Sequence, residues 1–349
     1  MKTLLRLLGL LLLLALAGGG WLAYEAHTFL NTPAQSEGQN VFFDVPPGAR
    51  FAQVAAGLEQ KGIITDARRF ALLARYKEWD SRLQAGRFAL NSGWLPEKVL
   101  DTLVNGQPVL FRITVPEGLT WWQTGKLLEE AGLVRFDDFR QVVTDPAFLR
   151  HYGIPFATAE GFLMPDTYLL KKADEPDMAQ ARSVAGRMVD NFWRKAAPVW
   201  PDGRKPAVDQ LKTWMILASV VEKETGIDAE RPRVAGVYQN RLARNMILQA
   251  DPTVIYGLGP GFDGNLRRNH LDDPNNLYNT YQRPGLPPGP ICSFGMAALK
   301  AAINPEKHDF LYFVAVTDGG EHAFSTNLAD HNKAVRQYLQ NRRKAQQSR

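Results

Sequence analysis

Apolar positions crowd most densely into two stretches of the chain. The first, Leu7 to Tyr24, is almost unbroken and has about the length that spans a bilayer. The second, Trp214 to Val221, is apolar all round for about two turns in helix-forming residues and is followed by Glu222, Lys223, Glu224 and Gly226. That pattern predicts a buried helix with two carboxylates at its end and Gly226 as a left-handed stop. Helical spacing parts the two acids: Glu224 continues the bulky row Trp214, Leu217, Val221, whereas Glu222 continues the smaller row Met215, Ala218, Ser219. They cannot form a close pair. Further helical periodicity covers Met178 to Trp193, Ala229 to Arg244 (with Val234, Val237, Tyr238 and Leu242 on one face), Met296 to Asn304, and the basic tail Asn332 to Arg349. A hairpin is expected from Phe310 to Val316, a turn at Asp318-Gly319-Gly320, and His322 to Ser325.

A repeat precedes the central helix. Val45-Pro46-Pro47-Gly48 followed by Leu58-Glu59-Gln60-Lys61-Gly62-Ile63 matches Val115-Pro116-Glu117-Gly118 followed by Leu128-Glu129-Glu130-Ala131-Gly132-Leu133 at one constant offset. Each copy predicts a strand, a Pro-Gly turn, a glycine-capped helix and a second helix opening near Thr65-Asp66 or Asp137-Asp138. Ala85 to Leu90 and Val109 to Ile113 read as strands flanking a helix from Pro96 to Val104. Polar residues 25–40 read as a linker, 41–150 as a first βα region, and 151–345 as a larger mixed α+β domain. The fold class is therefore α+β.

Composition narrows the partners. The 349 residues are 45% hydrophobic and 22% charged with a net charge of +5, which is ordinary for a globular chain of two domains. Lys and Arg are dispersed without an aromatic-interleaved basic run, so no nucleic acid is expected as a partner. The single Cys292 excludes an internal disulfide framework. Lys2 and Arg6 before the apolar run, with Trp21 and Tyr24 at its far end, orient residues 1–24 as a single-pass transmembrane helix with its amino terminus in the cytoplasm. Ala15-Leu16-Ala17 also fits a signal-peptide cleavage site, but the apolar run continues past it into the aromatics, which favours an uncleaved anchor.

The candidate chemistry is acid/base. H-E-x-x-H, G-x-S-x-G, Walker A, G-x-G-x-x-G and paired C-x-x-C motifs are all missing, and six scattered histidines offer no metal set, so neither metal nor cofactor is expected. A carboxyl held against apolar walls keeps its proton near neutral pH, which points to Glu224 as an acid. Two solvated carboxylates at a helix end would look the same by spacing alone. Asp166 and Asp251 are possible second carboxylates, although each adjoins a proline in a turn where Asp commonly caps backbone. The segment from Leu248 to Pro290, dense in Gly, Pro, Asn and Tyr, predicts a long functional loop whose rings and amides suit a neutral sugar chain.

Six ordered motifs carry a resemblance. They are Glu160 to Tyr168, Ala218 to Thr225, Gln249 to Gly257, Tyr278 to Tyr281, Gly285 to Ile291, and Phe324 to His331. Together they resemble the YceG-like family, the membrane-bound endolytic murein transglycosylases, and the βα units of 41–150 resemble that family's LysM-like region. The resemblance implies Glu224 as the catalytic acid, with Glu160, Glu222, Gln249, Asn279 and Tyr281 as substrate-binding residues.

It further implies one carboxyl serving twice on peptidoglycan. Glu224 would protonate the oxygen between N-acetylmuramic acid and N-acetylglucosamine, then accept the proton of the muramic C6 hydroxyl as it closes a 1,6-anhydro ring. Implied with it are a periplasmic catalytic domain tethered to the inner membrane, a role in ending glycan polymerisation, and penicillin-binding synthases of the elongation or division machinery as partners. LysM modules bind glycans containing N-acetylglucosamine, but the βα pattern alone fixes no ligand. A hydrolytic muramidase, a nonenzymatic glycan-binding scaffold and a domain for another polysaccharide remain as alternatives.

Overall fold

A computed structural model describes the backbone of residues 2–46, 48–172, 175–316 and 320–347, and their side chains except at 2–8, 11, 15 and 343–347. The chain divides into two compact units, residues 1–112 with 169–175, and residues 113–168 with 176–349. The architecture is α+β, with short two-stranded sheets among helices.

In the first unit, helix α1 (Lys2–Asn31) leads into β1 (Asn40–Val45), α2 (Phe51–Gln60), α3 (Ala67–Tyr76), β2 (Gly86–Asn91) and α4 (Pro96–Asn105). Strands β1 and β2 pair antiparallel with Phe43 opposite Phe88. Alternation turns Phe43, Val45, Phe88 and Leu90 inward onto Leu58, Phe70, Leu100 and Leu103, all buried. Part of the expected anchor lies outside the described side chains, and among the described residues no helix is long and apolar enough to cross a membrane. The linker expected at 25–40 begins later. Residues 25–31 continue α1, because Phe29, 5% exposed, belongs to the core of this unit and Asn31 Nδ2 donates to His27 O at 2.8 Å.

Strands β3 (Leu110–Val115) and β4 (Asp166–Lys171) pair with each other, and the division between units falls within them. The division at residue 112 puts the second repeat copy in the second unit. Both copies are built as the repeat predicts. Gly48 and Gly118 take φ values of 73° and 79°, and Gly62 and Gly132 both take 66°. In each copy the glycine ends its helix with the same pair of bonds, Gly62 N to Glu59 O and Ile63 N to Leu58 O, matched by Gly132 N to Glu129 O and Leu133 N to Leu128 O. Helices α5 (Trp121–Glu130), α6 (Phe136–Val143) and α7 (Pro146–His151) complete the second copy and its sequel.

The second unit is organised around α9 (Val208–Glu224), preceded by α8 (Met178–Ala196). Residues 215–221 of α9 are all buried, so no single row of that helix faces solvent. Its small face admits another backbone: Ile291 N donates to Ser219 Oγ at 3.0 Å. Helices α10 (Arg231–Ala243) and α13 (Met296–Ile303) pack on α9, while the segment expected as a loop contains α11 (Asp251–Leu258) and the single turn α12 (Arg268–Leu271). Proline at the start of α11 supplies φ for its first turn without costing a bond. Strands β5 (Tyr312–Ala315) and β6 (His322–Ser325) form the expected hairpin, and α14 (Leu328–Gln347) the terminal helix. Of the expected hairpin turn, Asp318 and Gly319 lie outside the described residues.

Gly226 does not act as the predicted left-handed stop. Thr225 ends α9 in an extended conformation (φ −142°), and its Oγ1 accepts from Ile227 N at 3.0 Å. A threonine turn thus replaces a glycine cap, leaving Glu224 as the last helical residue.

Candidate active site

Glu224 stands half-buried at the carboxyl end of α9. Desolvation dominates its chemistry and pushes its carboxyl up to about 7, opposed by a hydrogen bond from Tyr238 and assisted by the negative charge of Asp251. The Tyr238 hydroxyl donates to Glu224 Oε1 at 2.9 Å. One turn further along α10, Arg241 is buried, with Nε donating to Leu311 O at 2.7 Å and Nη1 to Leu248 O at 2.8 Å. Its positive charge is the fourth influence on Glu224 and lowers that carboxyl's pKa. Such a carboxyl is partly protonated at neutral pH and can act as donor, then as acceptor.

The loop segment brings a second carboxylate to this place. Asp251, exposed at the start of α11, accepts from the Tyr281 hydroxyl at 2.6 Å. Gln249 is exposed, holds a left-handed conformation (φ 51°), and its Oε1 accepts from Arg241 Nη1 at 3.3 Å. For a residue other than glycine this conformation is costly, and such strain gathers at functional positions. Glu224, Asp251, Tyr281, Gln249, Tyr238 and Arg241 thus form one cluster of bonded or electrostatically interacting groups.

Three of the residues expected to touch substrate face the protein instead. Glu160 is 1% exposed, and its Oε2 accepts from Trp121 N at 3.0 Å. Burial pushes this carboxyl up to about 8. The Glu222 side chain, 6% exposed, is held by Arg231 Nη1 at 2.9 Å and Gly295 N at 3.1 Å. Asn279 is fully buried and donates to the carbonyls of His270, Leu271 and Asp273, while its Oδ1 accepts from Tyr281 N. Each of these side chains is taken up by partners within the protein. Asp166 is likewise tied down, by Asn191 and Lys195.

Tyr238 and Arg241 were missed by sequence reasoning. An aromatic at helical spacing reads as core, and Tyr238 was placed on an apolar face for that reason. The available signal was Arg241 on that same helix, because a buried arginine needs several acceptors and marks a polar locality. His322 Nδ1 pairs with Glu230 Oε2 at 2.7 Å, and His331 stacks on Tyr312. Among the described residues no group of three or more His, Cys, Asp or Glu side chains is placed to hold a metal ion.

Comparison with known proteins agrees with the motif pattern. The model of the YceG-like family matches residues 43–337. A protein named endolytic murein transglycosylase from Bacillus subtilis (strain 168) is 31% identical over 319 residues, covering 86% of this chain and 85% of its own. One of the same name from Streptococcus pneumoniae (strain D39) is 29% identical over 363 residues; the match takes in 95% of this chain but 64% of that longer relative. The crystal structure of a yceG-like protein from Listeria monocytogenes superposes with a TM-score of 0.55 at 29% identity, over 84% of this chain and 99% of that one. With a family match that runs through the α9 carboxyl end and the loop around it, this chain belongs to the YceG-like family.

Proposed function

We propose that this protein is an endolytic peptidoglycan lytic transglycosylase with Glu224 as its acid. The observation that carries the reading is the near-neutral Glu224 carboxyl, bonded by Tyr238 and within the field of Asp251, in a family whose relatives are named endolytic murein transglycosylases. Glu224 protonates the oxygen joining muramic acid to glucosamine, and positive charge develops at the muramic C1. The Asp251 carboxylate favours that charge. Ionised Glu224 then takes the proton of the muramic C6 hydroxyl as its oxygen bonds to C1, leaving a 1,6-anhydro end. An internal nucleophile needs only to be oriented and shielded from water, which gives it a large advantage over solvent.

The expected anchor in α1 tethers the protein to the inner membrane with its body in the periplasm, and the LysM-like first unit lies next to that anchor in sequence. Cleavage near the membrane suits a terminator of new glycan strands working beside the synthases. Carbonate extraction of membranes tests the anchor: release of the full chain into the soluble fraction would exclude it. Asp251 also supports a second reading, a hydrolytic muramidase in which it serves as base for water. Mass spectrometry of products from purified peptidoglycan separates the two. Anhydro ends that vanish in Glu224→Gln support the first, reducing ends support the second, and wild-type activity in Glu224→Gln overturns both.

A further inference from the structure

Five aromatic rings, all half-buried, run in unbroken contact beside the active-site loop. Tyr278, three residues before Tyr281, lies 4.8 Å from Tyr256 between ring centroids; Tyr256 lies 4.9 Å from Trp122. Trp122 meets Trp121 edge to face at 5.6 Å, and Trp121 stacks on Phe136 at 6.1 Å. Tyr256 shares α11 with Asp251, and Lys223, the neighbour of Glu224, donates to Gly118 O at 3.2 Å just ahead of Trp121. The row therefore runs from the loop that carries Tyr281, through α11, to α5 and α6.

Two further features frame the row. Beyond the Trp121 end lies a groove of about 520 Å³ lined by Trp121, Asp138, Arg140 and Gln141. At its edge the Asp138 carboxylate pairs with Arg135, Nε to Oδ2 at 3.6 Å. Behind the row, the buried Glu160 braces two of its members, with Oε2 accepting from Trp121 N at 3.0 Å and the carboxyl accepting from the neighbouring Tyr256 hydroxyl. A buried polar bracket behind a half-exposed aromatic row is more than hydrophobic packing requires.

Resting on the reading of the protein as a glycan-cleaving enzyme, we propose that the row from Tyr278 to Phe136 is an extended sugar-binding track. It holds residues of a glycan strand distal to the bond being cut. Rings present apolar faces that suit the C–H faces of pyranoses without reading their substituents. The track gives the enzyme a preference for long strands and sets the distance of the cut from a strand end.

The test uses the full chain and Trp122→Ala, at the middle of the row. With purified, uncrosslinked glycan strands, the ratio of kcat/KM for long strands to that for tetrasaccharides falls about tenfold, the scale of one lost stacking platform. Trp122→Phe, which keeps a ring, restores most of the preference. An equal loss on long and short substrates, or no change in the ratio, overturns the track. Binding keeps the question separate from catalysis. In Glu224→Gln protein, affinity for glycan oligomers rises with length, and adding Trp122→Ala removes that rise. Affinity independent of length overturns the track even if cleavage occurs, and a length-dependent rise abolished by Trp122→Ala upholds it even if no cleavage is found.

Discussion

The Tyr238 hydroxyl and the Glu224 carboxyl, 14 residues apart in sequence, are joined by a 2.9 Å hydrogen bond that α10 delivers to the end of α9. Desolvation raises the Glu224 pKa to about 7, and this bond restrains the rise by favouring the ionised form. In Tyr238→Phe the restraint is lost and the carboxyl holds its proton to higher pH. Activity that requires protonated Glu224 falls on the alkaline side of the profile, so that limb moves up by about one pH unit. A pH profile of kcat/KM checks this, and an unmoved limb would separate Tyr238 from the acid.

Glu160 makes stability depend on pH. Its folded pKa of about 8 lies above the ordinary 4.5, so between those values the folded protein binds more protons than the unfolded chain. Its contribution is fully present below about pH 4.5 and is lost as pH rises through 8, on the order of 5 kcal/mol in all. Glu224 adds a similar decline that ends near pH 7. Glu160→Gln keeps an acceptor for Trp121 N but has no proton to lose. Thermal melts from pH 5 to 9 therefore show wild-type stability falling relative to Glu160→Gln, and parallel curves would refute a buried neutral carboxyl.

The chain announced its scaffold more clearly than its site. The repeat glycines needed left-handed turns and took them, and α9 was legible because an apolar run of that composition has no other way to be buried. Less visible was anything decided by tertiary packing. Phe29 drew the start of the presumed linker into a helix, Thr225 ended α9 where Gly226 was expected to, and the second repeat copy joined the catalytic unit. Within the site, motif membership could mark Glu160, Glu222 and Asn279 as important but could not say which way their side chains pointed. Glu224 was identified by resemblance and by its position at a helix end. Helix face does not single it out, since residues 215–221 of α9 are buried on every side.

Glu222 and Arg231 form an ion pair whose side chains are each 6% exposed. Removing Glu222 leaves the Arg231 side chain only the exposed Asp228, 3.2 Å from its Nε, and leaves Gly295 N without its acceptor, a loss of about 3 kcal/mol. Glu222→Ala is therefore destabilised by that amount in urea titration, and Glu222→Ala with Arg231→Met recovers most of it. The loss leaves the Glu224 hydrogen bond to Tyr238 in place, so surviving molecules still cleave. A stable but inactive Glu222→Ala would instead give Glu222 a direct part in the chemistry.

Asn279 offers the sharpest contrast between bracing and binding. Its Nδ2 serves three carbonyls at 3.3, 3.1 and 2.8 Å, and its Oδ1 receives Tyr281 N at 3.0 Å, all in a side chain with no exposed surface. The Tyr281 hydroxyl in turn holds Asp251 near the acid. Asn279→Ala leaves these groups unpaired and loosens that hold, at about 2 kcal/mol. Asn279→Asp is worse, because it sets an anionic oxygen against three carbonyl oxygens while still accepting from Tyr281 N. Hydrogen exchange over residues 270–283 is accordingly faster in both variants and fastest in Asn279→Asp, with activity falling in the same order. If Asn279 bound sugar directly, Asp would keep an acceptor for a hydroxyl and be the milder change, so the ranking of the two variants decides the role.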